Sequence, residues 1–227
     1  MTLATLAAVV LFINLGQWQW HRAQQKNALD ASFSAGARQV SELGAGSSST
    51  LARYAQVRVS GHYDGEHQFL LDNMSHAGRP GYEVLTPLLL ADGRAVIVNR
   101  GWVPIIDSRA HLPQIQLDAA APTTPAGRLD ELPVAAVALG HVPPTAGPLW
   151  PKLTSFPTMA DLARSLGRPL ETRQLLLNPD EPLGYVRDWH PSGLGPERHI
   201  SYAIQWWIFA ALALGLYGYM NRQKAAR

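Results

Sequence analysis

Apolar positions concentrate at the two ends of the chain and polar ones fill the stretch between them. Residues 1–20 and 200–220 contain no Asp, Glu, Lys, Arg or His. As a helix the second stretch reaches about 31 Å, the thickness of a bilayer's hydrocarbon core. Tyr202, Trp206 and Trp207 stand at one border and Tyr217 and Tyr219 at the other, where amphipathic rings meet headgroups. A core helix of a soluble protein is the weaker reading on length and flanks. The first stretch has a shorter continuous run, residues 3–15, and reaches spanning length by taking in 16–20 with Trp18 and Trp20. A cleaved signal is its rival, disfavoured by the missing basic n-region and the lack of a small-residue cleavage site before Trp18. Met1 runs straight into this span, which leaves an upstream start open. Arg222, Lys224 and Arg227 follow the second span, and positive short flanks stay in the cytoplasm. Two spans then put both termini in the cytoplasm and the middle on the far side, the periplasm of a bacterium or the intermembrane space of a mitochondrion. No transit peptide is visible, which favours a bacterial inner membrane.

The first span continues without a breaker after Gly16, with Leu15, Trp18, Arg22, Lys26 and Leu29 at helical spacing, so it projects beyond the membrane. A Gly/Ser run over 44–50 reads as a loose connection. Val57 and Val59 alternate with polar neighbours, and Asp64-Gly65 offers a two-residue turn joining this strand to 68–71. A second hairpin is predicted from 84–90 and 95–98 around Asp92-Gly93. Prolines punctuate 104–151, which predicts loops and at most short strands. Thr158 and Asp161 form a capping box for a helix carrying Met159, Leu162, Ala163 and Leu166, stopped by Gly167. Residues 174–177 read as a strand and 185–186 as part of another. The fold class is thus two transmembrane helices flanking an extracytoplasmic α+β domain, with a small antiparallel sheet or partly closed barrel and one or two helices. Its divisions are span one over 1–20, the domain over 21–198, span two over 199–220 and a cytoplasmic tail over 221–227.

Charge sharpens this division. Charged residues make up 16% of the chain, against about 25% in soluble domains. All 17 acidic residues lie between Asp30 and Glu197. The middle is close to neutral, so the pI near 9.0 reflects the basic tail and carries no nucleic-acid signal. With no cysteine, disulfides, thiolate metal sites and covalent c-type haem attachment are excluded. GxSxG, HExxH, SxxK, Walker and GxGxxG signatures are missing, which favours a protein that is not an enzyme. His62, Asp64, Glu66 and His67 could be drawn as a metal cluster, but the turn at Asp64-Gly65 accounts for them. His21, His76, His111, His141 and His190 lack ligand spacing and read as solvated.

His199 differs, because helix geometry stacks Tyr202, Ala203, Trp206 and Ala210 on or beside its face. An imidazole there is a fair axial ligand for haem iron, Ala203 leaves space for a macrocycle and Trp206 offers a stacking surface. Arg22 and Lys26, level with it above the first span, suit haem propionates. Snorkelling interface residues explain the same side chains, and from the residues alone that reading prevails. On the far half of this span Ala211, Gly215 and Gly218 make a small-residue stripe. It would admit either the first span, through Ala4 and Ala8, or a partner's helix.

Four stretches resemble the Surfeit locus protein 1 family, the cytochrome c oxidase assembly factors, in order along nearly the whole chain. They are Leu15-Gly-Gln-Trp-Gln with Arg22 and Lys26; Val57-Arg-Val-Ser-Gly61; Gly81-Tyr-Glu-Val-Leu-Thr-Pro87 with Val98-Asn-Arg-Gly-Trp-Val-Pro104; and His199-Ile-Ser-Tyr-Ala-Ile-Gln-Trp206. The resemblance implies two spans around an extracytoplasmic domain and a role in placing haem a into subunit I of the oxidase. It also implies transient haem a binding with His199 as an iron ligand, which reverses the preference stated for that residue. The expected site comprises His199, Tyr202, Trp206, Trp18, Arg22 and Lys26, and the expected partners are oxidase subunit I, haem a synthase and the bilayer. A scaffold that stabilises an assembly intermediate without touching haem is the alternative, and a haem-modifying or hydrolytic enzyme a further one. Asn99, Arg100 and Trp102 could face the membrane or a partner, or equally form a buried strand end. Residues 135–152 depart from the family's pattern, and no function is carried onto them.

Overall fold

The computed structural model describes residues 2–36, 40–43, 48–109, 111–117, 121–134, 140–191 and 195–225. Among these residues three α-helices, α1 (Thr2–Gly36), α2 (Met159–Leu166) and α3 (Pro196–Ala225), accompany nine strands. The chain divides into two compact units, Met1–Ser32 with Pro191–Arg227, and Phe33–His190.

In the first unit α1 and α3 are both long and apolar enough to cross a membrane. They form an antiparallel pair: the Thr2 hydroxyl meets Tyr217 Oη at 3.1 Å, Phe12 stacks on Trp206, and Gln19 meets His199. The positions buried along the seam recur every seven residues, at Val9, Gly16 and Ala23 on α1 and at Ala203 and Ala210 on α3. A seven-residue repeat of inward positions keeps two helices in register along their length. Small side chains in that repeat let the backbones approach. Gly16 is required for this reason, since a Cβ there would collide with the Trp207 indole. Asn14 donates its side-chain amide to the Val10 carbonyl at 2.7 Å, so a polar residue within an apolar run satisfies itself locally.

The second unit is built on one mixed sheet. Its strands are β1 (Val40–Glu42), β2 (Gln56–Arg58), β3 (His62–Tyr63), β4 (Phe69–His76), β5 (Arg79–Leu89), β6 (Ala95–Pro104), β7 (Ala126–Asp130), β8 (Lys152–Thr154) and β9 (Gln174–Leu177). They run in the order β1-β2-β7-β9-β6-β5-β4-β8, with β3 pairing β5 beside this path. Both faces of the central strands are covered. Val96 and Val98 join one apolar cluster with Val57, Leu88, Leu129 and Leu175, while Ile97 between them joins Phe69, Leu71, Leu85 and Leu162 of α2. Such two-sided burial explains why residues 95–98 of β6 read as an unbroken apolar run instead of an alternation.

The layout of two terminal helices around an α+β domain is as expected, while the sheet is larger and mixed. Pairs β1/β2, β4/β8 and β6/β9 are parallel. The hairpin at Asp92-Gly93 forms, with Leu89 opposite Ala95 and Gly93 at φ 85°. The α2 capping box is present in full, and Gly167 ends the helix in the left-handed region. Residues 185–186 contribute a single bridge, Val186 to Trp102. The hairpin at Asp64-Gly65 does not form: β2 pairs β1 and β7, and β4 pairs β5 and β8. Asp64 instead accepts from the His67 backbone N–H at 3.2 Å, a local side-chain turn that competes with the hairpin. The proline-rich stretch holds β7, a central strand with Leu129 wholly buried. Of the Gly/Ser run, 44–47 lie outside the described residues. Ser48–Thr50 form a 3-10 turn anchored by the Ser48 N–H on the Glu171 carboxylate at 2.6 Å, so that part is not loose.

Candidate functional site

His199 stands in the first full turns of α3, after Pro196, whose missing N–H costs nothing at a helix start. Its Nδ1 lies 2.8 Å from Gln19 Oε1 across the seam. An amide oxygen only accepts, so in the neutral imidazole Nδ1 carries the hydrogen and donates, and the lone pair resides on Nε2. Among the described residues Nε2 has no hydrogen-bond partner. Gln19 went unnoticed in the sequence as a functional residue. Its signal was its place in the inward repeat between Gly16 and Ala23, where a polar side chain demands a partner.

The other expected site residues divide between the seam and one flank of it. Trp206 is half-buried, stacked on Phe12 at 5.7 Å between ring centroids and set edge-on to Phe209. It is a seam residue and not a free platform. Ala203 has no exposed surface, so the space expected there for a macrocycle is filled by the facing helix. Trp20 and Trp207 meet on one side of the seam, with ring centroids 6.1 Å apart. Two residues along a helix turn the chain by about 200°, which puts Trp18 and, with it, Arg22 on the opposite side. On α3 the five residues from Tyr202 to Trp207 turn the chain by about 500°, a net 140°, which sets the two on opposite flanks of the seam. Trp18 and Tyr202 are 58% and 51% exposed. Arg22 is exposed, with Nη1 donating to Gln25 Oε1 at 3.0 Å, and Lys26 follows one turn later on the same stripe of α1. The site therefore resolves into an imidazole fixed in the seam beside an exposed aromatic and cationic flank.

The small-residue stripe does not meet α1, because nothing lies within 4 Å of a Cβ built at Gly215 or Gly218. Ala4 and Ala8 instead border a groove with Ala213, Leu216, Tyr217 and Met220, about 320 Å³ in volume.

In the sheet domain, Asn99, Arg100 and Trp102 are buried. Asn99 donates to Glu83 Oε2 at 2.7 Å and to Gln174 Oε1 at 3.3 Å. Arg100 donates from Nε to the Leu183 carbonyl at 2.7 Å and from Nη1 to Gln68 Oε1 at 3.0 Å, with Tyr185 under its guanidinium. Burial pulls the Arg100 pKa down and pushes that of Glu83 up, and it raises Tyr63 to about 12 against the opposing field of Arg100. Gly101, at φ 109°, passes so close to Val186 that a side chain would meet its carbonyl at 2.6 Å. The stretch holds the sheet together from inside, the buried strand end of the two readings.

His62 and His67 do not face each other. His62 sits on β3, while His67 pairs with Asp64 at 2.9 Å and sets its ring edge-on to Trp150. Among the described residues no group of three or more His, Asp or Glu side chains gathers to hold a metal ion. His190 pairs with Asp188, His141 with the Phe156 carbonyl, and His76 lies against Trp102.

A SURF1-like protein from Monosiga brevicollis is 25% identical over 238 aligned positions, covering 99% of this chain and 88% of that one. The model of the SURF1 family matches residues 6–211, from the first helix through the sheet domain to the seam of α3. The chain belongs to the SURF1 family, which is linked to cytochrome c oxidase assembly and is not a known enzyme family.

Proposed function

We propose that the protein is a carrier of haem a for cytochrome c oxidase, receiving it in the membrane plane from the synthase and releasing it to subunit I. The observation that carries this reading is the state of His199: Gln19 occupies Nδ1 and leaves the Nε2 lone pair available to iron. The donor set suits the cargo, since one imidazole gives an exchangeable axial bond. Arg22 and Lys26 offer cations for the propionates, and Trp18 and Tyr202 offer exposed rings. With Phe12, Trp206 and Ala203 filling the seam, the exposed flank is where a macrocycle would lie, not the space between the helices. Arg222, Lys224 and Arg227, which follow the apolar stretch 200–220, favour cytoplasmic termini and a periplasmic domain in a bacterial inner membrane.

The test is purification of the full chain from cells that make haem a. A Soret band that disappears in His199→Ala is expected; its absence from the native chain, or its persistence in the variant, would remove the carrier reading. The scaffold reading draws on one observation, that a Gln–His bond across a helix pair also serves as a register clamp. Under it His199→Ala would weaken assembly complexes in cells whose haem a supply is intact, with no pigment on the purified protein.

A further inference from the structure

We propose that Gln19 is a positioning residue: it fixes His199 in the tautomer and ring orientation that present Nε2 to iron. The inference rests on the carrier reading and extends it to a residue that touches no cargo. The two side chains come from different helices, 180 positions apart in sequence, and meet at 2.8 Å. Their backbones are brought together by the inward repeat that places Gly16 and Ala23 on either side of Gln19, with Ala203 one turn beyond His199. A neutral imidazole exchanges its hydrogen between two nitrogens, and only a partner at one of them decides which carries it. Here the partner is an acceptor held at Nδ1, the arrangement that makes a metal-ligating histidine a better and better-aimed donor.

Gln19→Leu removes the acceptor and leaves a side chain at home in an apolar seam; Gln19→Glu keeps an acceptor and strengthens it. Two measurements on the full chain in detergent separate this inference from the reading beneath it. Nitrogen NMR of histidine-labelled, haem-free protein, with His199→Ala identifying the signal, should show hydrogen on Nδ1 in the native chain and a mixture in Gln19→Leu. Haem titration should show about 10- to 100-fold weaker binding for Gln19→Leu. Gln19→Glu should bind with a lower iron reduction potential than the native chain. Loss of binding in His199→Ala together with unchanged tautomer, affinity and potential in the Gln19 variants would overturn the positioning role alone. Haem binding that survives His199→Ala would overturn both.

Discussion

Arg100 offers a sharp test of whether the Asn-Arg-Gly-Trp stretch is structural. Its guanidinium is buried with no carboxylate among its acceptors in the described residues, and it is held by the Leu183 carbonyl, Gln68 Oε1 and the Tyr185 ring. Arg100→Ala removes the charge-assisted bond to the carbonyl of the half-exposed Leu183, a loss of about 1.5–3 kcal/mol for a hydrogen bond from a charged donor. The missing cation over Tyr185 adds about 0.5–2 kcal/mol. Gln68 Oε1 keeps the Thr86 hydroxyl at 2.8 Å and contributes little to the loss. Relief of an unfavourably buried charge, visible in the lowered Arg100 pKa, works the other way. The net destabilisation is about 2–4 kcal/mol, which hydrogen exchange at the β6 and β9 amides should register as about 30- to 900-fold faster opening. Arg100→Lys should recover only part of this, because a single ammonium does not span two acceptors as the guanidinium fork does. The haem content of the folded fraction should stay unchanged in both variants. Near-native protection in Arg100→Ala, or pigment loss with protection intact, would refute the structural reading.

Three further outcomes are expected. Gly16→Leu should displace the Trp207 indole and loosen the helix pair, read as a red shift of tryptophan emission and loss of the His199 Nδ1 hydrogen bond; an unchanged spectrum would contradict the close approach at Gly16. Burial raises the Glu83 pKa, so the folded state holds its proton while the unfolded chain ionises, and stability should fall as pH rises from about 4.5 through the folded value. Glu83→Gln, which still accepts from Asn99, should remove that fall and raise stability at neutral pH in denaturant titrations. The chain has no cysteine, so single replacements report orientation cleanly: an impermeant maleimide should label Ser60→Cys in intact spheroplasts and Asn221→Cys only after permeabilisation.

Where a local rule acted alone, the sequence was legible. The capping box at Thr158 and Asp161, the Gly167 stop and the Asp92-Gly93 hairpin each depend on a few neighbouring residues, and each is present. The misreadings share a different cause. Asp64-Gly65 has the composition of a hairpin turn, but β2 finds its partners in β1 and β7, and no local rule sees β7 about 70 residues away. The parallel pairs β4/β8 and β6/β9 are equally remote in sequence. Loop closure over such distances is decided by which apolar faces complete the core, here Leu129 and Leu175 against Val98.

The candidate site was half legible for a related reason. The flank could be foreseen on α1, because Trp18, Arg22 and Lys26 are spaced as a helix spaces a stripe. The seam could not be assigned from α3 alone, since Ala203 beside His199 suits an open pocket and a close helix contact equally well. The small positions at seven-residue intervals on the other helix, Gly16 and Ala23, decide between them. A polar pair set within such a repeat fixes register, because an unpaired Gln19 or His199 in an apolar seam costs free energy in any slipped arrangement. The same bond that aligns the helices therefore directs the imidazole. Separating these roles requires a substitution that keeps an acceptor at Nδ1 and alters its strength, which is the purpose of Gln19→Glu.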